Sequence, residues 1–172
     1  LFSAVPQPPP RIWIEGRESA FRLLDRLPTD GLAIVGTRSP ERRALFLVVE
    51  SVRRLRGSSL IILSGLARGT DAAAHEAAIS NGLPTIAVLG CGIRRTYPPE
   101  HSRLRKRIVD SGGLVLSDFD PDSAPLPSYF ISRNRLIAGF SAATWIVQSG
   151  YRSGALNTAK WARKMGKGLF VT

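Results

Sequence analysis

Two short stretches carry residue types suited to holding an anion. Gly36–Thr37–Arg38–Ser39 follows the apolar run Leu32–Val35. Ser64, Gly65, Leu66, Ala67, Arg68 and Gly69 lie between apolar Leu60–Leu63 and the alanine-rich stretch Ala72–Ile79. A glycine-bearing loop between a buried strand and a helix N-terminus suits phosphate. Glycine lets the backbone approach the ligand, N–H groups of the first helical turn are free to point outward, and the helix dipole favours negative charge. Arg68 adds a planar guanidinium that matches phosphate oxygens in pairs. The competing reading of the same residues is an ordinary strand-to-helix turn capped by Asp71. Arg38, placed just before Ser39–Pro40, can reach over the sheet edge beside the second loop. Its competing reading is a surface arginine paired with Glu41.

Other candidates for chemistry are weaker. Asp118, Asp120 and Asp122 alternate, but a calcium loop would need glycine at Ser123 and glutamate at Tyr129, so a solvated turn is the better reading. His75 and His101 have no metal-ligand spacing, and His75 reads as a helix residue bonded to a neighbouring loop. Cys91 has no adjacent histidine to activate it and reads as a buried thiol. No Ser-His-Asp set, P-loop or nuclease-like carboxylate cluster can be assembled, so neither a catalytic group nor a metal or cofactor is expected. Phe119, Tyr129 and Phe130, in a proline-broken segment before Arg133, are either local core or surfaces for stacking bases. Tyr97–Pro98–Pro99 reads as a turn into the next helix.

The elements that must position these loops alternate. Strands are expected at Leu32–Val35, Leu60–Leu63, Thr85–Leu89, Leu114–Leu116, Thr144–Val147 and Leu169–Val171. Between them, Ser39–Pro40–Glu41 looks like a helix start, followed by Leu45, Val48, Val49, Val52 and Leu55 at helical spacing. Later helices are expected over Glu100–Val109, Ser132–Phe140 and Gly154–Met165. Apolar strands alternating with helices imply an α/β, doubly wound, mostly parallel sheet with helices on both faces. Residues 1–30 read as an N-terminal linker and short edge elements (a strand over Arg11–Ile14, a helix over Ser19–Leu27), and residues 31–172 as the main domain. In such a fold ligands bind outside the carboxyl ends of the strands. Four loops rich in Gly, Ser and Arg converge there: the two above, Gly90–Cys91–Gly92, and Ser149–Gly150–Tyr151–Arg152–Ser153–Gly154.

The charge balance agrees. Twenty-four Lys+Arg against 13 Asp+Glu give a net charge of +11 in 172 residues, which favours a polyanionic partner, nucleic acid before membrane. No apolar run approaches the roughly 18 residues a membrane helix needs. The proline-rich start is unlike a signal peptide, and the single cysteine permits no internal disulfide.

The blocks IVGTRSP, LSGLARGTDAAAH, TIAVLGCGIRRTYPPEH, SRNRLIAGFS and SGALNTAKWA, in this order, resemble those of the DNA-processing protein A (DprA/Smf) family. The resemblance runs from about Pro9 to the end. It implies an extended Rossmann-like domain in a bacterial cytoplasmic protein of natural transformation. Such a protein binds and protects incoming single-stranded DNA, loads the RecA recombinase and forms a homodimer. Matched residue by residue, Arg38 is the expected main DNA contact. Ser64, Gly65, Arg68 and Gly69 match the phosphate-cradling loop, and Arg133, Asn134 and Arg135 match an arginine–asparagine–arginine block beside the pocket. Gly36, Thr37, Ser39, Ser153 and Gly154 complete the candidate set. Gln148 stands where the family usually has an acid. The chain also lacks the family's later glycine-rich block and the N-terminal helical domain of many members.

Two readings compete with this one. A distant resemblance to lysine-decarboxylase-like phosphoribohydrolases implies a small-nucleotide enzyme, but Ser149–Ala159 has no glutamate where those enzymes carry the catalytic one. A domain that senses a free nucleotide uses the same phosphate pocket.

Overall fold

The structure is a computed structural model and describes residues 5–150 and 153–172. Seven strands form one sheet: β1 (Trp13–Glu15), β2 (Gly31–Gly36), β3 (Ile61–Ser64), β4 (Thr85–Val88), β5 (Leu114–Ser117), β6 (Ala143–Val147) and β7 (Gly168–Val171). Their spatial order is β1-β5-β4-β3-β2-β6-β7, parallel throughout except for β1, which runs antiparallel along the β5 edge. The helices are α1 (Arg22–Asp25), α2 (Arg42–Arg54), α3 (Thr70–Ser80), α4 (Ser102–Asp110), α5 (Pro127–Gly139) and α6 (Gly154–Lys164).

Residues of opposite parity along each strand enter different cores, as the two-residue period requires. Ile34, Ile62, Trp145 and Val147 pack under α2 and α3 with Val48, Val52, Ala74 and Ala78. Their neighbours Ala33, Val35, Leu63 and Ile146 pack on the other face with Leu136, Ile137 and Phe140 of α5 and Ala155 of α6. This doubly covered parallel sheet is the α/β, Rossmann-like arrangement the alternation implies. Before Gly31 the chain supplies the edge strand β1 and the short helix α1, and Val5, Ala20, Leu23 and Leu27 are buried in the same core.

Three boundaries differ from the sequence reading. α2 starts at Arg42, with Glu41 in the capping position, rather than at Ser39–Pro40. One local and one long-range bond account for this. The Ser39 N–H turns back to the Thr37 hydroxyl (3.2 Å), and the Glu41 N–H donates to the Gln148 side-chain carbonyl (2.8 Å). α3 is preceded by Gly69 at φ 74°, and Asp71 lies inside its first turn rather than capping it. α5 begins at Pro127, five residues before Ser132, since a proline is tolerated where the helix needs no N–H. Among the described residues, no helix is long and apolar enough to cross a membrane.

The chain runs outward one way from β2 through β3, β4 and β5, then returns to place β6 on the other flank of β2. β2 and β6 therefore mark the switch point, where the following segments diverge and leave a crevice at the carboxyl edge.

Candidate functional site

An open cavity of about 650 Å³ lies at that crevice. Its walls come from the end of β2 and its loop (Gly36, Thr37, Arg38), from the start of α6 (Ser153, Gly154, Asn157, Thr158) and from α5 (Phe130, Arg133, Asn134). Ala67, Asp71 and Tyr97 close it.

Glycines allow the first two loops to touch. A Cβ on Gly36 would sit 2.6 Å from the Thr70 hydroxyl, and one on Gly69 would sit 2.6 Å from both the Thr37 carbonyl and Pro40. That contact is fastened by two bonds to one acceptor: the Thr70 N–H (3.2 Å) and hydroxyl (3.1 Å) both donate to the Thr37 carbonyl. On the other flank the Thr37 N–H donates to the Gln148 carbonyl (3.1 Å), and the Ser153 hydroxyl, bonded to Ser149, caps α6 by accepting from the Leu156 N–H. Asn134 donates to the Gly154 carbonyl (3.1 Å), which ties α5 to the same helix start.

The candidates separate into a lip and a floor. Arg38 is exposed, makes no ion pair with Glu41 or any other described residue, and lies over the Phe130 ring at 5.8 Å. Phe130 in turn packs against Tyr97, ring centroids 5.2 Å apart. Arg68 is exposed beside this group but is engaged by Glu100, which raises the guanidinium above its ordinary pKa and lowers the carboxylate. Arg38, Arg68, Tyr97 and Phe130 together line a small side recess of the cavity.

Arg133 is buried, with its guanidinium donating to the Val88 carbonyl and packed so close over Gly65 that no Cβ fits there. Burial pulls its pKa down to about 10, with the Asp71 charge opposing the shift. Asp71 is buried too; burial pushes its carboxyl up, and the field of Arg133 and the N–H groups of Ala67 and Gly65 pull it back. Those two N–H groups donate to Asp71 at 3.3 and 3.0 Å.

This changes the reading of the second loop. Its N–H groups at Gly65 and Ala67 are occupied by Asp71, and those of Thr70 and Ala72 by the Thr37 and Ala67 carbonyls, so they do not point outward as a free anion cradle. Ser64 is also buried, its hydroxyl donating to the Ile34 carbonyl (2.6 Å). Arg135 is not on the cavity: its guanidinium donates to Asp118 (2.9 Å), Gln7 and Ser132, as expected when successive helix residues point in different directions. Asp118, its side chain largely covered, is accordingly an ion-pair partner, not part of a solvated turn. The Gly90–Cys91–Gly92 loop lies behind the wall, with Gly90 pressed against the Phe130 ring and the buried Cys91 thiol raised in pKa by burial. Tyr151 and Arg152 fall outside the described residues.

Sequence reasoning missed Tyr97, Asn157 and Thr158 as wall residues. Tyr97 stands before two prolines that promised only a turn; Asn157 and Thr158 are ordinary helix residues until α5 and α6 pack together. Of the three aromatics singled out, Phe130 reaches the cavity, while Phe119 and Tyr129 stack on each other at 4.0 Å. His75 bonds the Thr85 hydroxyl (2.7 Å) on strand β4 rather than a loop. Among the described residues no cluster of His, Cys, Asp and Glu is arranged to hold a metal ion.

The family model for DNA recombination-mediator protein A matches residues 1–172. This chain belongs to that family. Protein Smf from Synechocystis is 37% identical over 170 residues, covering 99% of this chain and 42% of the relative. The crystal structure of DNA processing protein A from Streptococcus pneumoniae superposes with a TM-score of 0.87 at 34% identity, over 99% of this chain and 57% of that one. The Helicobacter pylori structure, described for its single-stranded DNA binding mode, also gives 0.87, at 31% identity over 99% and 75%. The chain thus spans less than half the length of the Synechocystis relative and just over half of the pneumococcal structure.

Proposed function

We propose that the cavity binds single-stranded DNA, and that the chain acts without catalysis in processing DNA taken up during natural transformation. One observation carries the reading: Arg38, unpaired and exposed, stands over the Phe130 ring at the mouth of a crevice open to solvent. A guanidinium beside an aromatic face offers a phosphate contact and a stacking surface at one place. The net charge of +11 and the naming of the Streptococcus pneumoniae relative as a DNA-processing protein support it. Within this reading Thr37, Ser39, Ser153 and Gly154 supply further polar and backbone contacts at the rim, and Asn134 and Arg133 stiffen the wall. Protection of the strand, delivery to RecA, a homodimeric state and a cytoplasmic setting belong to the same proposal.

No hydrolysis is proposed: Ser149–Ala159 carries no glutamate, and Asp71, the carboxylate on the cavity wall, is buried and bonded to the loop. Its small size gives a second reading some support: about 650 Å³ also suits a single bound nucleotide. Fluorescence anisotropy with a labelled oligothymidine, a duplex and a labelled mononucleotide, measured side by side, separates the two. The single strand should bind tightest, with log affinity falling against log salt by about 0.7 per phosphate neutralised. Tighter mononucleotide binding, or insensitivity to salt, would overturn the proposal.

A further inference from the structure

The outward face of α2 has no role in the cavity, yet its chemistry is unusual. Val48 and Val52 are fully buried against the sheet. On the opposite side, by the 3.6-residue period, stand Arg42, Arg43, Phe46, Arg53 and Arg54. Phe46 is 69% exposed, the most exposed large apolar side chain among the described residues. The single acid within α2, Glu50, is already paired with Arg53. Arg42, Arg43 and Arg54 have no ion-pair partner among the described residues. The result is a positive band with an aromatic ring in the middle, beside the exposed aliphatic side chains of Leu47 and Val49.

The band also continues the cavity mouth. Only Ser39, Pro40 and Glu41 separate Arg38 from Arg42, and the bond from the Glu41 N–H to Gln148 (2.8 Å) fixes the start of α2 against the rim. Arg42 to Arg54 covers roughly 18 Å at about 1.5 Å per residue, enough for several nucleotides of an extended strand. We propose that α2 is a second segment of the nucleic-acid path. A single strand leaving the cavity past Arg38 places phosphates against Arg42, Arg43 and Arg54 and stacks a base on Phe46. The inference rests on the single-strand reading of the cavity and extends it to a surface that reading does not use. The occupant is a polyanion with flat bases because the surface offers guanidinium groups and one aromatic face. An acidic protein segment is the competing occupant.

The test uses two oligothymidines, of about 5 and about 20 nucleotides, which bracket the usual range of single-strand site sizes. Arg42→Gln, Arg43→Gln and Arg54→Gln are combined in one variant, all on exposed positions, with a thermal melt to confirm folding. The short probe should bind within about twofold of the parent, since it fills only the cavity. The long probe should weaken about tenfold or more, and its salt slope should become shallower by about 2, at roughly 0.7 for each of three lost phosphate contacts. Separately, Phe46→Trp should have its fluorescence quenched by the long probe and not by the short one. Equal losses on both probes, or an unchanged long-probe affinity, would overturn the path. The unchanged result would leave an acidic protein segment as the occupant. A parent that fails to bind the short probe would instead remove the cavity reading, and the long probe would then judge the α2 surface alone.

Discussion

Arg38 and Arg133 line the same cavity, and they could hardly be held more differently. Arg38 sits on a loop lip, exposed, with no ion pair, its guanidinium over an aromatic ring. Arg133 sits in the floor, 4% exposed, bonded to the Val88 carbonyl and pressed onto Gly65. Residue type alone would give both the same task. What divides them is what their donors already hold. A buried guanidinium bonded to the Val88 carbonyl and held in the field of Asp71 stabilises a wall, while an uncommitted one in solvent is available to a ligand. The same test separates Arg68, partly engaged by Glu100, from Arg135, fully engaged by Asp118 and two carbonyls.

The sharpest way to break the comparison is to remove the floor residue. Arg133→Met keeps the length of the side chain but leaves the Val88 carbonyl unpaired and Asp71 without its opposing field. Uncompensated buried polar groups of this kind typically cost about 3–5 kcal/mol. Urea unfolding should show a loss of that order with an unchanged m-value. A loss under about 1 kcal/mol would mean that Arg133 is not structural and that the two arginines are equivalent after all.

Next in size is the lip. Losing one charge-assisted phosphate contact costs about 1.5–3 kcal/mol, or roughly ten- to hundredfold in affinity. Arg38→Ala should therefore weaken single-strand binding by that factor while shifting unfolding by less than about 0.5 kcal/mol. Direct titration at one fixed salt concentration checks it. Equal affinity in variant and parent would take Arg38 out of the site.

How much of this was legible in the sequence follows from range. The inner parallel strands were readable because β3, β4 and β5 are short apolar runs buried on both faces and β2 and β6 nearly so; β7 is equally apolar in sequence but ends the sheet as an exposed edge. Arg38 was readable as a candidate because it closely follows such a strand. Arg133, Asn134 and Arg135 could not be sorted, since their fates depend on contacts with Val88, Gly154 and Asp118, each at least 17 residues away. The same holds for Asp71. From the sequence it reads as a helix cap; in the fold it accepts from Gly65 and Ala67 and so occupies two of the loop donors that suggested an anion cradle. The start of α2 was misplaced for a related reason: the Glu41 N–H finds its acceptor on Gln148, 107 residues later.

The smallest expected effect tests whether the floor is as dry as Arg133 implies. His75 lies in the same buried layer, fully covered, with Nδ1 against the Thr85 hydroxyl at 2.7 Å and Nε2 without a partner. Burial, then the charges of His101 and Arg133, lower its pKa from 6.5 to about 3. The folded protein thus refuses a proton that the unfolded chain accepts. Stability from His75 is fully present above pH 6.5 and is lost as pH falls towards about 3. At pH 5 the loss should reach about 2 kcal/mol. Carboxylates add their own slope below that, so the comparison belongs between pH 7 and 5, with His75→Gln as the reference. The variant's absolute stability is not the readout; its pH slope is. The parent should lose about 2 kcal/mol more than the variant over this window. Parallel slopes would mean that the imidazole is reached by water or already protonated. The layer beneath the cavity would then be wet, and the distinction drawn between Arg38 and Arg133 would rest on their hydrogen bonds alone.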